Sequence, residues 1–201
     1  MKVLELCCGL KGWSNIWVKY GHKVETLDIN SKFNPTYCLD ILDFNIKKEY
    51  DIIFASPPCT YFSKIRNVWN NTKLKTTKEQ IQNSIAIAQK CFDIIKESKC
   101  KYYLVENPHA GMSKYFPGYE TIDYCEYKYY SDFFDYNTNK FFMIKKRTDI
   151  WTNINFNKRL CSNKHKHIGL VECKRKSEDR SKIPYYLSKE IYDYIIQLEA
   201  D

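Results

Sequence analysis

Apolar positions in this chain come first in short bursts. Lys2-Val3-Leu4-Glu5-Leu6 is rich in apolar and β-branched residues and predicts an opening strand. Lys23-Val24-Glu25-Thr26-Leu27-Asp28 predicts a second, and Tyr37-Cys38-Leu39-Asp40-Ile41 a third strand end. Tyr50-Asp51-Ile52-Ile53-Phe54 holds a continuous apolar run of the kind found in fully buried strands. Tyr102-Tyr103-Leu104-Val105 follows, then Ile122 to Tyr127 and Phe141 to Ile144. Between these bursts the spacing turns helical. Ser14 caps a short helix from Asn15 to Tyr20 that Gly21 stops. Thr77-Lys78-Glu79-Gln80 is a capping box, and the helix it opens runs to Glu97 with Ile81, Ile85, Ala88, Phe92 and Ile95 on one face. Ser188 caps a closing helix that keeps Ile191, Tyr194, Ile195 and Leu198 together. Strands alternating with helices predict an α/β fold, a Rossmann-like mostly parallel sheet with an antiparallel edge.

The connections carry the candidate chemistry. Cys7-Cys8-Gly9-Leu10-Lys11-Gly12-Trp13 joins the first strand to the first helix, and a glycine turn there lets backbone approach a ligand closely. Asp28 closes the second strand, where an acid commonly accepts hydrogen bonds from ribose hydroxyls. No Gly-Lys-Ser/Thr phosphate loop is present. A ligand with adenosine but no need of a phosphate cradle fits best, and S-adenosylmethionine is such a ligand. Pro57 and Pro58 end the fourth strand, because each fixes φ and removes a backbone donor. Cys59 is thereby presented at a strand's carboxyl end, where open α/β sheets bind ligands. A lone cysteine is more often buried and structural than nucleophilic. Glu106 stands at the end of the strand after it.

Composition narrows the class. With 201 residues, 44% hydrophobic and 28% charged, the chain has the make-up of one soluble globular domain, residues 1–201, rather than a disordered one. No apolar run of about 18 residues predicts a membrane span, and Glu5 interrupts the N-terminus too early for a signal peptide. Nine scattered cysteines without a secretory signal point to reduced thiols in a cytoplasmic setting. Abundant Asn, Lys, Ile and Tyr suit an AT-rich viral or phage genome, which would make that setting a host cell's cytoplasm. The net charge of +8 suits a polyanion, with nucleic acid the first candidate. Residues 60–76 interleave basic and aromatic side chains, so Ser63, Lys64 and Arg66 are assigned to nucleic-acid contact. Cys161, His165, His167 and Cys173 could in principle hold zinc, but their spacing matches no standard finger. Lys164 and Lys166 beside those histidines favour a phosphate-contacting loop, and no metal is assigned.

Taken in order, Leu4 to Trp13, Ser56 to Ser63, Val105-Glu106-Asn107-Pro108 and Lys145 to Trp151 resemble the cofactor, Pro-Pro-Cys, Glu-Asn-Val and Gln-x-Arg-x-Arg motifs of the cytosine carbon-5 methyltransferases. Ile183-Pro184-Tyr185-Tyr186-Leu187 is similar to the closing segment of small phage-type members. The resemblance implies S-adenosylmethionine held by Glu5, Leu6, Cys7, Gly9, Gly12, Trp13, Asp28, Ile29, Asp40, Ile41 and Pro57. It implies Cys59 as nucleophile, Glu106 at the base's ring nitrogen, Arg147 beside base and thiolate, and DNA as the partner. Amino-methyltransferases on the same fold carry an aromatic where Cys59 stands, which favours carbon-5 chemistry. The alternatives are an RNA cytosine methyltransferase and a non-catalytic binding relative. Departures fall at Lys11 for the middle glycine, Cys7 for phenylalanine, Pro108 for valine, Lys145 for glutamine and Asp149 for the second arginine. Only residues 152–182 stand where typical members carry a target-recognition domain, so a short or relaxed target is expected unless a partner chain supplies recognition.

Overall fold

The computed structural model describes residues 1–62, 77–109, 111–127, 134–135, 140–141, 143–144, 146–162, 167–168 and 181–200. Its centre is a seven-stranded sheet. The strands are β1 (Lys2–Leu6), β2 (Lys23–Asp28), β3 (Tyr37–Cys38), β4 (Ile52–Ala55), β5 (Tyr102–Pro108), β6 (Glu120–Asp123) and, after the short pairs β7 (Phe134–Asp135), β8 (Lys140–Phe141) and β9 (Met143–Ile144), β10 (Arg147–Thr152). β11 (His167–Ile168) pairs with β9 outside that sheet. The sheet order is β3-β2-β1-β4-β5-β10-β6. β1 pairs parallel with both β2 and β4, and β4 parallel with β5. β10 runs antiparallel to β5 and β6, so the predicted antiparallel element stands one place inside the edge. The chain order reverses between β1 and β4, the switch point where such sheets open a ligand crevice at their carboxyl ends.

Period-2 alternation sends successive strand residues to opposite faces, each with its own apolar core. Val3, Ile52, Phe54 and Leu104 meet α1 (Asn15–Lys19) and α3 (Tyr185–Ala200) through Ile16, Trp17, Leu187, Ile191 and Ile195. Leu4, Leu6, Ile53, Ala55 and Val105 meet α2 (Lys78–Ser98) through Ala88, Cys91 and Ile94. The Thr77–Gln80 capping box is complete, with both reciprocal bonds at 3.1 Å.

Three local readings change. Ser188 lies inside α3, not at its cap, and its hydroxyl donates to the Gly12 carbonyl at 2.8 Å. Ser14 occupies the cap of α1 but its side chain makes no capping bond; the buried Glu5 carboxylate accepts from the N–H groups of Trp13 and Ser14 instead. The strand read over Ile122 to Tyr127 ends at Asp123 and turns into a 3-10 segment, Tyr124–Glu126. The region after β10 is partly core, since Ile154 and Phe156 are buried with α3's face.

Candidate active site

The Pro-Pro-Cys turn leaves β4 at the carboxyl edge of the sheet. Ser56 still bonds across to β1, its N–H donating to the Leu6 carbonyl at 3.1 Å. The prolines then take the chain out of the ladder, and Phe62 N–H closes a turn on the Cys59 carbonyl at 3.0 Å. Cys59 is half-buried at that turn. Ala55 pairs with Val105, so Glu106 is the next residue along the neighbouring strand end. Asn107 joins the two motifs directly: its Nδ2 donates to the Pro57 carbonyl at 2.9 Å, in a buried position. Trp13, stacked on Phe54 with ring centres 5.9 Å apart, ties in the glycine turn by donating Nε1–H to Ser56 Oγ at 3.1 Å. Gly111 is required by close approach, because a Cβ there would lie 2.1 Å from the Phe62 carbonyl oxygen.

Glu106 is buried and held on one oxygen. Tyr124 donates its O–H to Oε1 at 3.0 Å, and the buried Lys146 ammonium stands 3.4 Å from the same atom. Lys146 also lies 4.6 Å over the Tyr124 ring, and the Tyr124 N–H donates to the Lys146 carbonyl at 3.0 Å. Among the described residues nothing bonds Oε2, which leaves that oxygen for a ligand. Tyr124 and Lys146 are contacts that the sequence reading missed. The Lys145-Lys146-Arg147 run offered a signal for a cation, though not for which one.

The cation read from the motif, Arg147, is paired with an acid outside the predicted set. Its guanidinium makes a two-pronged pair with buried Asp123, Nε to Oδ1 at 3.1 Å and Nη2 to Oδ2 at 2.9 Å, and that pair raises its pKa. Asp149, standing where the resembled motif has an arginine, is buried and accepts from Thr121 Oγ1 at 2.9 Å, with His109 Nδ1 at 2.7 Å.

The predicted cofactor residues gather around the β1–α1 turn. Gly9 adopts φ +44 with open space where a Cβ would stand. Asp28 accepts from the N–H groups of Gly9 and Asn30, each at 2.9 Å, which fixes the carboxylate at the tip of β2. Ile29 beside it is exposed, while Leu6, Trp13 and Ile41 are buried and Gly12 packs against Ile183. Asp40 caps its own 3-10 turn through the Leu42 N–H at 2.9 Å. Lys11 and Cys7 both adopt left-handed backbone, at φ +58 and +51. Lys11 also donates from Nζ to the Asn34 carbonyl at 2.7 Å. Burial pushes the Glu5 carboxyl up to about 7 and the Cys8 thiol up to about 12; the Cys91 thiol, with burial, holds the Cys7 thiol well above its ordinary value. Cys7 and Cys8 are therefore poor nucleophiles at neutral pH. The nucleic-acid assignments Ser63, Lys64, Arg66, Lys164 and Lys166 lie outside the described residues, as does Lys145.

The geometry is that of an open-sheet crevice with a thiol, a carboxylate and a glycine turn at adjoining strand ends. No protein-family model matches the chain. It is 30% identical over 166 residues, 76% of its length, to a protein of Frog virus 3 (isolate Goorha) named "Probable DNA (cytosine-5)-methyltransferase", and spans 65% of that relative's length. Among solved structures, a prophage-encoded E. coli protein provisionally described as a DNA modification methyltransferase aligns with 79% of this chain and 49% of its own, at 13% identity and TM-score 0.49. An S-adenosylmethionine-dependent methyltransferase of Clostridium acetobutylicum aligns with 61% of this chain and 49% of its own, at 15% identity and TM-score 0.35.

Proposed function

From its kinship with a viral protein of the cytosine carbon-5 methyltransferase type, we propose that this chain methylates carbon 5 of cytosine in DNA. The observation that carries the reading is the 2.9 Å bond from Asn107 to the Pro57 carbonyl. It makes the Pro57-Pro58-Cys59 turn and the Glu106-Asn107 strand end one site.

Carbon 5 of cytosine is a poor nucleophile. Addition of the Cys59 thiolate to carbon 6 makes the ring an enamine and turns carbon 5 electron-rich. Glu106, with Oε1 taken by Tyr124 and Lys146, would in its protonated form donate from Oε2 to the ring nitrogen where negative charge develops. Once carbon 5 has bonded the incoming methyl group, loss of its proton reforms the double bond and expels the Cys59 thiolate. The target base leaves the duplex first, since the turn cannot reach carbon 6 inside a stack.

The β1–α1 turn fits S-adenosylmethionine: Gly9 leaves room a side chain would fill, and the fixed Asp28 carboxylate has acceptor capacity left for ribose hydroxyls. When bound, that cofactor supplies an electrophilic methyl group. Glu5 shapes the turn from beneath through Trp13 and Ser14, and Trp13 links it to Ser56.

Residues 152–182 stand in place of a target-recognition domain, and their basic side chains suit phosphates better than base edges. Recognition is therefore relaxed in this chain alone, or comes from a partner chain. Among the described residues no helix is long and apolar enough to cross a membrane. A host-cell cytoplasm suits the nine scattered cysteines of the sequence. The test is methyl transfer from tritiated S-adenosylmethionine to duplex DNA, single-stranded DNA and transfer RNA, followed by bisulfite sequencing of a random-sequence duplex. Label in DNA at carbon 5, with few fixed bases around it, is expected. Label only in transfer RNA, or none with cofactor bound, sinks the DNA reading.

A further inference from the structure

Beyond the crevice, three ligand-type side chains converge at the β6 edge. The sulfurs of Cys125 and Cys161 and a carboxylate oxygen of Glu126 all lie within 4.8 Å of one another. Cys125 and Glu126 come from the 3-10 segment that follows β6. Cys161 arrives from the chain beyond β10, where its N–H donates to Asp123 Oδ2 at 2.9 Å. Arg159 fastens the same two segments by donating from Nη1 to the Glu126 carbonyl at 3.0 Å, and the Asp123 N–H donates to the Arg159 carbonyl at 2.9 Å. The donors are thus set by backbone anchors on both segments, not by chance contact of long side chains. None of the described cysteines forms a disulfide.

We propose that Cys125, Cys161 and Glu126 form a zinc(II) site. Two sulfurs and one carboxylate suit a borderline-soft ion, whereas magnesium and calcium take oxygen ligands. Zinc–sulfur bonds of about 2.3 Å in a tetrahedron place two sulfurs roughly 3.8 Å apart, within the observed spread. Binding deprotonates both thiols, so one zinc(II) enters and two protons leave. Three donors leave one tetrahedral position for a further ligand or water. The site would lock the turn that carries Tyr124, and so the O–H that Tyr124 donates to Glu106, to the segment after β10. The inference does not depend on the methyltransferase reading.

The test starts with the full chain purified without chelator and measured by metal analysis. About one zinc per chain is expected. Cys125→Ser and Cys161→Ser should lose it, while Cys38→Ser, on the opposite edge strand, should keep it. Cobalt(II) exchanged into the wild-type chain provides a readout free of variant folding: a thiolate-to-cobalt charge-transfer band is expected. No zinc uptake after dialysis against zinc(II), zinc kept in both serine variants, a Cys125–Cys161 disulfide in the purified chain, or a cobalt spectrum without the thiolate band overturns the proposal.

Discussion

Lys146 brings its ammonium to 3.4 Å from Oε1 of Glu106, and both side chains are buried. The pair gives the carboxylate a fixed direction: one oxygen is occupied by Lys146 and Tyr124, and among the described residues the other is left for a ligand. Arg147, one residue on, could not do this, since alternation along the start of β10 sends it to Asp123.

Removing Lys146 should misplace Glu106 and leave a buried carboxylate without its cation. Lys146→Met is expected to cost about 3 kcal/mol of stability, the usual scale for breaking a buried pair. Its kcat should fall by about 100-fold from misplacement of the carboxylate. S-adenosylmethionine affinity should be unchanged, and Lys146→Arg should recover part of kcat. Steady-state kinetics beside calorimetric titration of the cofactor separate these effects. Weakened cofactor binding with kcat intact would place Lys146 elsewhere in the mechanism.

Cys59 has a direct chemical test. A thiolate added to carbon 6 of 5-fluorocytosine is trapped after methyl transfer, because fluorine cannot leave as a cation. The wild-type chain with cofactor should give a protein–DNA band that survives denaturation, and Cys59→Ala should give none. Persistence of the band in Cys59→Ala would move the nucleophile to another thiol.

Much of this site was legible because its residues sit where strands stop. Apolar runs located β4 and β5, and Pro57-Pro58 and Pro108 marked their ends, so Cys59 and Glu106 fell at one edge of the sheet. What joins them was not legible. The Asn107 bond to Pro57 needs the parallel register of β4 and β5, which no local pattern carries. β10 was read as a motif and not as a strand, because Arg147, Thr148 and Asp149 are polar; Arg147 and Asp149 are accommodated there by Asp123 and His109, partners distant in sequence. The choice between Lys146 and Arg147 depends on that strand's first residue. Lys11 is the reverse case. Its departure from glycine was plain in the sequence, and the structure shows why glycine suits the position, at φ +58.

Asp28→Asn should weaken S-adenosylmethionine binding. The amide keeps an acceptor for one of the Gly9 and Asn30 N–H groups but loses the charge that strengthens bonds from ribose hydroxyls. Hydrogen bonds to a charged group are worth about 1.5–3 kcal/mol, roughly a ten- to hundredfold change in Kd. Calorimetric titration of a folded variant checks it, and unchanged affinity would move the ribose site away from β2.

Glu5 should make stability depend on pH in a direction opposite to that of a surface acid. Burial raises its carboxyl from an ordinary value of 4.5 to about 7, outweighing the Trp13 and Ser14 N–H groups that favour the charged form. The folded chain therefore holds this proton more tightly than the unfolded chain does. Stability from this group is fully present below pH 4.5 and is lost as pH rises towards about 7. A shift of that size corresponds to about 3 kcal/mol across the window. Urea midpoints of the wild-type chain, taken from pH 4.5 to 8, should fall across that window and then level off. Glu5→Gln cannot titrate, so its midpoints should lack that component of the slope. Parallel pH profiles for the two chains would mean that Glu5 is ionised throughout, held so by the two backbone donors at the head of α1.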